Sequence, residues 1–309
     1  MRVIPLAAES LGVRSMATYV EVGRTAILID PGAALAASRF NLPPADEEWE
    51  ALRRANDRIS AYAARADLIF VSHYHDEHFR HDPTIYAGRW VLAKDPRRMI
   101  AGVQARRASE LWQGIGRAAR LESADGREHD DADLSIRVSP PLAHGTEGTT
   151  LGHVLAITLV DRAEGFRFVF AGDVQGPLST VAAAYLIRER PHLLYLSGPP
   201  SYLEKQIGPA VIDRGIDNLR RVIDATGARV VMDHYALRDG NAGERFRSLW
   251  ERGVVTAAGY LGLHDAALEG RRHILWAAQR KPPVRMAPTG RAIVSRHPPA
   301  RYARGGTGP

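Results

Sequence analysis

The sequence predicts an α/β protein, because short apolar runs typical of strands alternate with longer amphipathic stretches typical of helices. Residues 68–71 (LIFV) and 134–138 (LSIRV) have the length and apolar content of strands. Residues 45–66 are rich in Ala, Glu and Arg, and apolar residues recur there near helical spacing. This alternation disfavours an all-helical or an all-β chain.

The predicted elements follow one another along the chain. Residues 16–22 and 25–30 read as two strands of a hairpin that turns at Gly23. The helix at 45–66, with Trp49 and Tyr62 on its core side, then leads into the strand at 68–71. Further strands are predicted at 134–138, 166–173 and 228–234, and further helices at 96–119, 178–190, 213–226 and 242–252.

A dense group of metal-ligating residue types follows the strand at 68–71. Six consecutive positions hold three histidines and two carboxylates, namely His73, His75, Asp76, Glu77 and His78. Imidazole nitrogens and carboxylate oxygens together bind zinc, iron or manganese, and a tight loop can hold two cations close together. The spacing therefore predicts a metal site at the carboxyl end of a buried strand, where open α/β layers place their chemistry.

Three more candidate ligands each follow a predicted strand. His144 comes after the strand at 134–138, Asp173 ends the run 166–173, and His234 closes the run 228–234. A single His or Asp after a strand is more often a turn or cap residue. The order of these residues after the first cluster favours a shared metal site instead.

This order of residues resembles the metallo-β-lactamase superfamily over about residues 1–265. The motifs are similar to a mainly archaeal branch of predicted metal-dependent hydrolases; they are SHYH at 72–75, HGTEG at 144–148, GDVQGP at 172–177, SGPPSYL at 197–203 and DHYALRD at 233–239. The resemblance implies an αββα four-layer sandwich, with two mixed β-sheets, helices outside and the metals at one edge.

The resemblance also implies the roles of the ligands. It assigns His73, His75 and His144 to a first metal, Asp173 to both metals, and His78, His234 and one acid to a second. The family usually has Asp at the position that Glu77 occupies here, and Asp76 lies one position earlier. Position favours Glu77 as the ligand, and Asp76 remains the alternative. A second departure is Tyr235, where the branch tends to have another His.

The chemistry that such a site supports is hydrolysis. Two divalent ions, with Zn favoured over Mn or Fe, offer a metal-bound hydroxide at neutral pH. The predicted function is a dinuclear metal-dependent hydrolase acting on a small or medium-sized ester, lactone, thioester or phosphoester. Candidates for proton transfer or substrate orientation are Asp76, His81, Tyr202, Tyr235 and Arg238. The chain has no Cys, which excludes a Cys nucleophile, a Cys-ligated zinc site and a disulfide framework.

Two other functions are compatible with the same residues. One is an iron-dependent redox enzyme on the same fold. The other is a non-catalytic protein in which the metal loop serves stability and a basic tail binds nucleic acid. The oligomeric state is left open by the sequence.

Charge divides the chain into two predicted parts. From residue 271 onward there are nine Lys or Arg residues and no Asp or Glu, whereas residues 1–270 carry 32 basic and 35 acidic residues, a net charge of −3. We predict one hydrolase domain over 1–280 and a basic, Pro- and Gly-rich, flexible tail over 281–309. A solvated tail is favoured over a nucleic-acid contact.

With no signal peptide or membrane span in the pattern, the expected location is cytoplasmic.

Overall fold

Two six-stranded sheets form the centre of the protein, whose computed structural model describes residues 1–279. The strands are β1 (Arg2–Pro5), β2 (Thr18–Val22), β3 (Thr25–Ile29), β4 (Leu68–Val71), β5 (Trp90–Ala93), β6 (Arg120–Ser123), β7 (Glu128–Asp130), β8 (Leu134–Val138), β9 (Leu142–Ala143), β10 (His153–Val154), β11 (Ile157–Asp161), β12 (Arg167–Ala171), β13 (Leu193–Ser197) and β14 (Arg229–Asp233). The predicted tail over 281–309 lies outside the described residues.

The helices alternate with these strands along the chain. They are α1 (Asp46–Ala63), α2 (Gly102–Ile115), α3 (Thr180–Glu189), α4 (Glu204–Ile207), α5 (Pro209–Thr226), α6 (Ala242–Arg245), α7 (Arg247–Trp250), α8 (Ala257–Tyr260) and α9 (Arg272–Gln279). Of the helices in residues 1–279, none combines the length and apolar character that crossing a membrane requires.

Both sheets are mixed. The first has the order β1-β2-β3-β4-β5-β6, antiparallel from β1 to β3 and parallel from β3 to β6. The second has the order β14-β13-β12-β11-β8-β7, parallel from β14 to β12 and antiparallel beyond. A two-stranded antiparallel ribbon, β9 with β10, lies apart from them. The parallel strands of each sheet therefore send their carboxyl ends to one edge.

The alternation of side chains along each central strand produces the layers. In β4, Leu68 and Phe70 pack between the sheets with Phe168 of β12, whereas Ile69 and Val71 pack on the outer face. Strands that are buried on both faces read as continuous apolar runs. Helices α1 and α2 cover the outer face of the first sheet, and α3 and α5 cover that of the second. The predicted αββα four-layer sandwich is confirmed.

Two local predictions are wrong. The segment predicted as one helix over 242–252 contains two short helices, α6 and α7, separated at Phe246, whose φ is −110°. Trp49, predicted on the core side of α1, is 54% exposed. The buried stripe of α1 runs instead through Glu48, Ala51, Ala55, Ile59 and Ala63. A carboxylate takes the inward position next to Trp49 because it has a buried partner.

That partner is Arg272 at the start of α9. Its Nε and Nη2 each donate to one carboxylate oxygen of Glu48 at 2.8 Å, and both side chains are fully buried. Glu48 also accepts a hydrogen bond from the backbone N–H of Ala45 at 2.9 Å, which caps the first turn of α1. The pair joins the C-terminal part of the domain to the helix that leads into β4.

Removing Arg272 should strongly destabilise the domain. Arg272→Ala leaves the Glu48 carboxylate buried without its counter-charge, and breaking a buried pair in this way costs about 3–5 kcal/mol. The measurement is the free energy of unfolding in denaturant. The control is Arg53→Ala, since Arg53 pairs with Asp57 at 3.3 Å on the solvent side of the same helix, where we expect less than about 0.5 kcal/mol. Equal changes in the two variants would contradict this account.

Candidate metal centre

The candidate site lies where the carboxyl ends of the parallel strands of both sheets meet. The loop that carries His73, His75 and His78 follows β4 in the first sheet. Asp173 follows β12 and His234 follows β14 in the second. His144 comes directly after β9 of the small ribbon, whose partner strand begins at His153. Residues from four separate parts of the chain are thereby brought to one edge.

A first group of donors surrounds one oxygen of Asp173. Oδ2 of Asp173 lies 3.0 Å from Nε2 of His144, 3.3 Å from Nε2 of His73 and 3.8 Å from Nδ1 of His75. Nε2 of His73 is also 3.1 Å from Nδ1 of His75. Three imidazoles and a carboxylate oxygen thus converge within ligand-sharing distance. Only His75 is partly exposed, at 24% of its side chain, which leaves this group accessible from one side.

A second group surrounds the other oxygen of the same carboxylate. Oδ1 of Asp173 lies 3.4 Å from Nε2 of His78 and 3.6 Å from Nε2 of His234. Oε1 of Glu77 is 3.9 Å from Nε2 of His234, and these side chains form a second set that could hold an ion. Asp173 therefore stands between the two groups with one oxygen directed at each.

The structure separates the two neighbouring acids. Glu77 turns inward, towards His234 and Arg238. Asp76 turns outward, with Oδ1 2.9 Å from Nε2 of His81 and Oδ2 accepting from Nη2 of Arg107 at 2.7 Å. The side chains of Asp76 and His81 are 44% and 57% exposed. Consecutive residues of the loop face opposite ways, so Asp76 and His81, two of the predicted catalytic candidates, are not brought to the donor groups.

The other predicted candidates surround the donor groups. The hydroxyl of Tyr235 donates to Oδ2 of Asp173 at 2.8 Å, and Tyr202 stacks on the Tyr235 ring with centroids 6.4 Å apart. Arg238 is buried, with its guanidinium 4.3 Å from the centroid of the Tyr235 ring. Its Nη2 lies 3.4 Å from Oε1 of Glu77. Arg238 therefore holds Glu77 in its inward orientation.

Sequence reasoning missed Asp30, which orients the first loop from behind. Its Oδ1 accepts the backbone N–H of Ser72 at 2.8 Å, and its Oδ2 accepts the Ser72 hydroxyl at 2.6 Å. Nδ1 of His78 lies 2.8 Å from the same Oδ2, which directs Nε2 of His78 towards Asp173. A signal was available: Asp30 directly follows β3, the parallel neighbour of β4, so its side chain is delivered to the same edge.

Sequence reasoning also missed Glu9. Its Oε2 lies 3.2 Å from Nδ1 of His234 and 3.4 Å from Nε of Arg238, and the side chain is buried. Burial raises the pKa of Glu9 to about 8, although Arg238 opposes this. Glu9 orients His234 from behind as Asp30 orients His78, which is the partner that metal-binding histidines characteristically have. The sequence around residue 9 contains no motif or periodicity that predicts the contact between Glu9 and His234.

Burial and neighbouring charges shift the pKa values of the site in opposite directions at different histidines. Burial lowers the pKa of His73 and of His234 well below the ordinary value. For Asp173, burial acts upward, but His78 and His234 hold its pKa well below the usual range. Burial would lower the pKa of His78, yet Asp173 and Asp30 raise it well above normal. His78 therefore lies between two carboxylates, in a position that favours positive charge.

The two mixed sheets with outer helices and this edge site define the metallo-β-lactamase fold. The structure of this chain is similar to that of unliganded yeast PDE1, with a TM-score of 0.52 and 12% sequence identity, over 82% of this chain and 95% of the PDE1 chain. A metal-dependent hydrolase of the β-lactamase superfamily gives a TM-score of 0.48 and 13% identity, over 83% of this chain and 94% of that one. The likeness to PDE1 concerns the fold alone.

The family follows from sequence relatives. A UPF0282 protein of Thermococcus gammatolerans is 41% identical over 296 residues, which cover 91% of this chain and 96% of that protein. A UPF0282 protein of Pyrococcus abyssi is 39% identical over 88% of this chain and 91% of that protein. The chain belongs to the UPF0282 family, and the predicted resemblance to an archaeal branch is confirmed. No family model matches the chain.

The inward and outward acids should differ in their effect on bound metal. Glu77→Ala removes a donor from the second group, so we expect metal content per chain to fall, with the first group still able to bind. Asp76→Ala is the matched control because its carboxylate points away, and its metal content should equal that of the unchanged protein. Elemental analysis after reconstitution with zinc is the measurement. Metal loss in Asp76→Ala with full content in Glu77→Ala would reverse the assignment.

Loss of the Asp30 carboxylate should weaken metal binding without removing a ligand. Asp30→Asn keeps the size of the side chain but removes the charge behind His78, and losing such a supporting partner typically costs about 10–100-fold in metal affinity. Competition with a chelator measures the affinity. Asp67→Asn is the control, because Asp67 precedes β4 and its carboxylate accepts the N–H of Ala26 at 2.8 Å at the opposite end of the strands. An Asp30→Asn affinity equal to that of the control would contradict the role.

Proposed function

We propose that the protein is a dinuclear metal-dependent hydrolase acting on a small or medium-sized ester, lactone, thioester or phosphoester. The observation that carries the proposal is the position of Asp173, with each carboxylate oxygen directed at a separate group of imidazoles. A carboxylate that lies between two groups of donors can contribute a ligand to each of two cations. This arrangement supports two ions rather than one.

The donor atoms fit divalent ions. Nε2 of His78 and Oδ1 of Asp173 are buried and have no hydrogen-bond partner among the described residues, although they face each other at 3.4 Å. Orphaned polar atoms of this kind cost free energy unless something else satisfies them, and a cation between the two would do so. Imidazoles and carboxylates without thiolates suit zinc first, with manganese or iron as alternatives.

The residues would divide the work as follows. His73, His75 and His144 would hold one ion with Asp173, and Glu77, His78 and His234 would hold the other with the same carboxylate. Bound there, two divalent ions supply an activated water near neutral pH and polarise a carbonyl or phosphoryl oxygen.

The surrounding side chains position these donors. Asp30 and Glu9 fix the ring orientations of His78 and His234, and Arg238 holds Glu77 in place. The Tyr235 hydroxyl donates to Asp173 and so lies beside the position that substrate would take. Burial keeps the pKa of Tyr235 well above its ordinary value, with Asp173 acting in the same direction, so this hydroxyl retains its proton and can donate a hydrogen bond.

Substitution of Asp173 tests the proposal. The unchanged protein, reconstituted with zinc, manganese or iron, should contain close to two ions per chain and hydrolyse at least one member of a panel of esters, lactones, thioesters and phosphodiesters. Asp173→Ala should lose both ions, and with them hydrolysis down to the uncatalysed background. Asp76→Ala should keep its ions. Elemental analysis and initial rates on the same preparations are the measurements.

Two results would overturn the proposal. One is an unchanged protein that binds no metal after reconstitution with any of the three ions. The other is hydrolysis that persists in an Asp173→Ala protein from which metal has been lost. Circular dichroism and thermal unfolding of both variants separate loss of the site from loss of the fold.

A further inference from the structure

A cavity of about 300 Å³ opens directly beside the first donor group. His144 lines it at one end and belongs to the donor group through its Nε2, which lies 3.0 Å from Oδ2 of Asp173. The apolar part of the wall consists of Leu151, Leu178, Pro200, Leu203, Ile207 and Val211. A volume at the lower end of the range for ligand pockets indicates a short group rather than a polymer.

The mouth of this cavity is apolar as well. Leu151 and Ile207 are 44% and 37% exposed, so two large aliphatic side chains face solvent beside a metal site. Single exposed apolar residues need no explanation, but these two belong to one concave surface that continues inward to the buried Leu178. The lining therefore includes exposed and buried apolar side chains together with His144.

Charge is missing from the same wall. Among residues 1–279, no Lys, Arg, Asp or Glu side chain lines this cavity, and its polar contributions besides His144 are the neutral Thr146, Thr149 and Gln175. Arg238 lies against Glu77 and Glu9, and Lys205 lines a different cavity. Enzymes that bind phosphate-rich groups place Arg or Lys against them. This wall offers a charged group nothing to pair with.

We propose that the cavity beside His144 binds an uncharged, apolar acyl group, which makes a carbonyl ester, lactone or thioester the substrate class. The inference deepens the proposed hydrolase function and rests on it. The reacting carbonyl then lies at the donor groups, while the aliphatic chain extends along Leu178 and Val211 towards Leu151 and Ile207.

Binding of product-like carboxylates tests the inference without requiring turnover. Acetate, butyrate and hexanoate are titrated into the zinc-loaded protein by calorimetry, and inorganic phosphate is titrated alongside. Affinity should rise from acetate to hexanoate by up to about fourfold for each methylene that becomes buried, which is the ratio that about 0.8 kcal/mol per methylene gives. The same ordering is expected for kcat/KM on acetyl, butyryl and hexanoyl p-nitrophenyl esters.

Charge placed at the mouth should remove this gain. Ile207→Asp, and Leu151→Asp as an independent second variant, should bind hexanoate no more than a few-fold better than acetate, and both should keep the zinc content of the unchanged protein. Ile274→Asp is the matched control: Ile274 is 50% exposed on α9 and does not line the cavity. The control should keep the full preference for the longer chain.

The outcomes separate this inference from the function beneath it. Equal affinities along the carboxylate series in the unchanged protein, or a chain-length preference that survives both Asp variants, overturn the acyl site. Hydrolysis of phosphodiesters alone, with no chain-length preference, leaves the hydrolase standing and overturns the inference. A protein that binds no metal overturns both the acyl site and the proposed hydrolase function.

Discussion

The buried carboxylate of Asp173 is the constraint on which the rest of the site depends. A carboxylate taken out of water is costly unless charges or hydrogen bonds compensate it. Here five imidazoles and the Tyr235 hydroxyl surround the carboxylate, and its two oxygens face different groups of donors. The two sheets have to bring their strand ends together for this to happen. The sandwich architecture is therefore what allows one acid to serve two groups of donors.

The side chains that orient the donors matter as much as the donors themselves. The histidines of the second group are each held by a buried acid, Asp30 for His78 and Glu9 for His234, and the inward acid is held by Arg238. The net effect is a cluster in which neighbouring polar side chains fix the orientations of the rings and carboxylates. These contacts, all made by side chains of the protein itself, orient the donor groups. A cation that binds such a folded arrangement also stabilises it.

The sequence carried the donors but not their supports, for physical reasons. His73 to His78, His144, Asp173 and His234 were visible because each directly follows an apolar run, and the ends of strands converge in any layered α/β fold. The role of Glu9 could not be predicted because its partner, His234, lies far away in the sequence. A glutamate in a short connecting segment also has no distinguishing sequence pattern. Trp49 was misplaced because helical spacing alone does not say which neighbour is inward. The inward position went to Glu48, whose partner Arg272 is 224 residues away.

The position of Glu9 has a consequence for biosynthesis. The segment Glu9–Leu11 is synthesised long before β14, on which its contacts depend: the neighbouring hydrogen bond from the backbone N–H of Ser10 to Asp233 spans 223 residues. The first donor group ends at Asp173 in chain order, whereas the second also needs His234. The nascent chain thus presents histidines and acids to the cell long before the enclosure around them exists. Assembly of both donor groups therefore belongs to the finished domain, after β14 has joined its sheet.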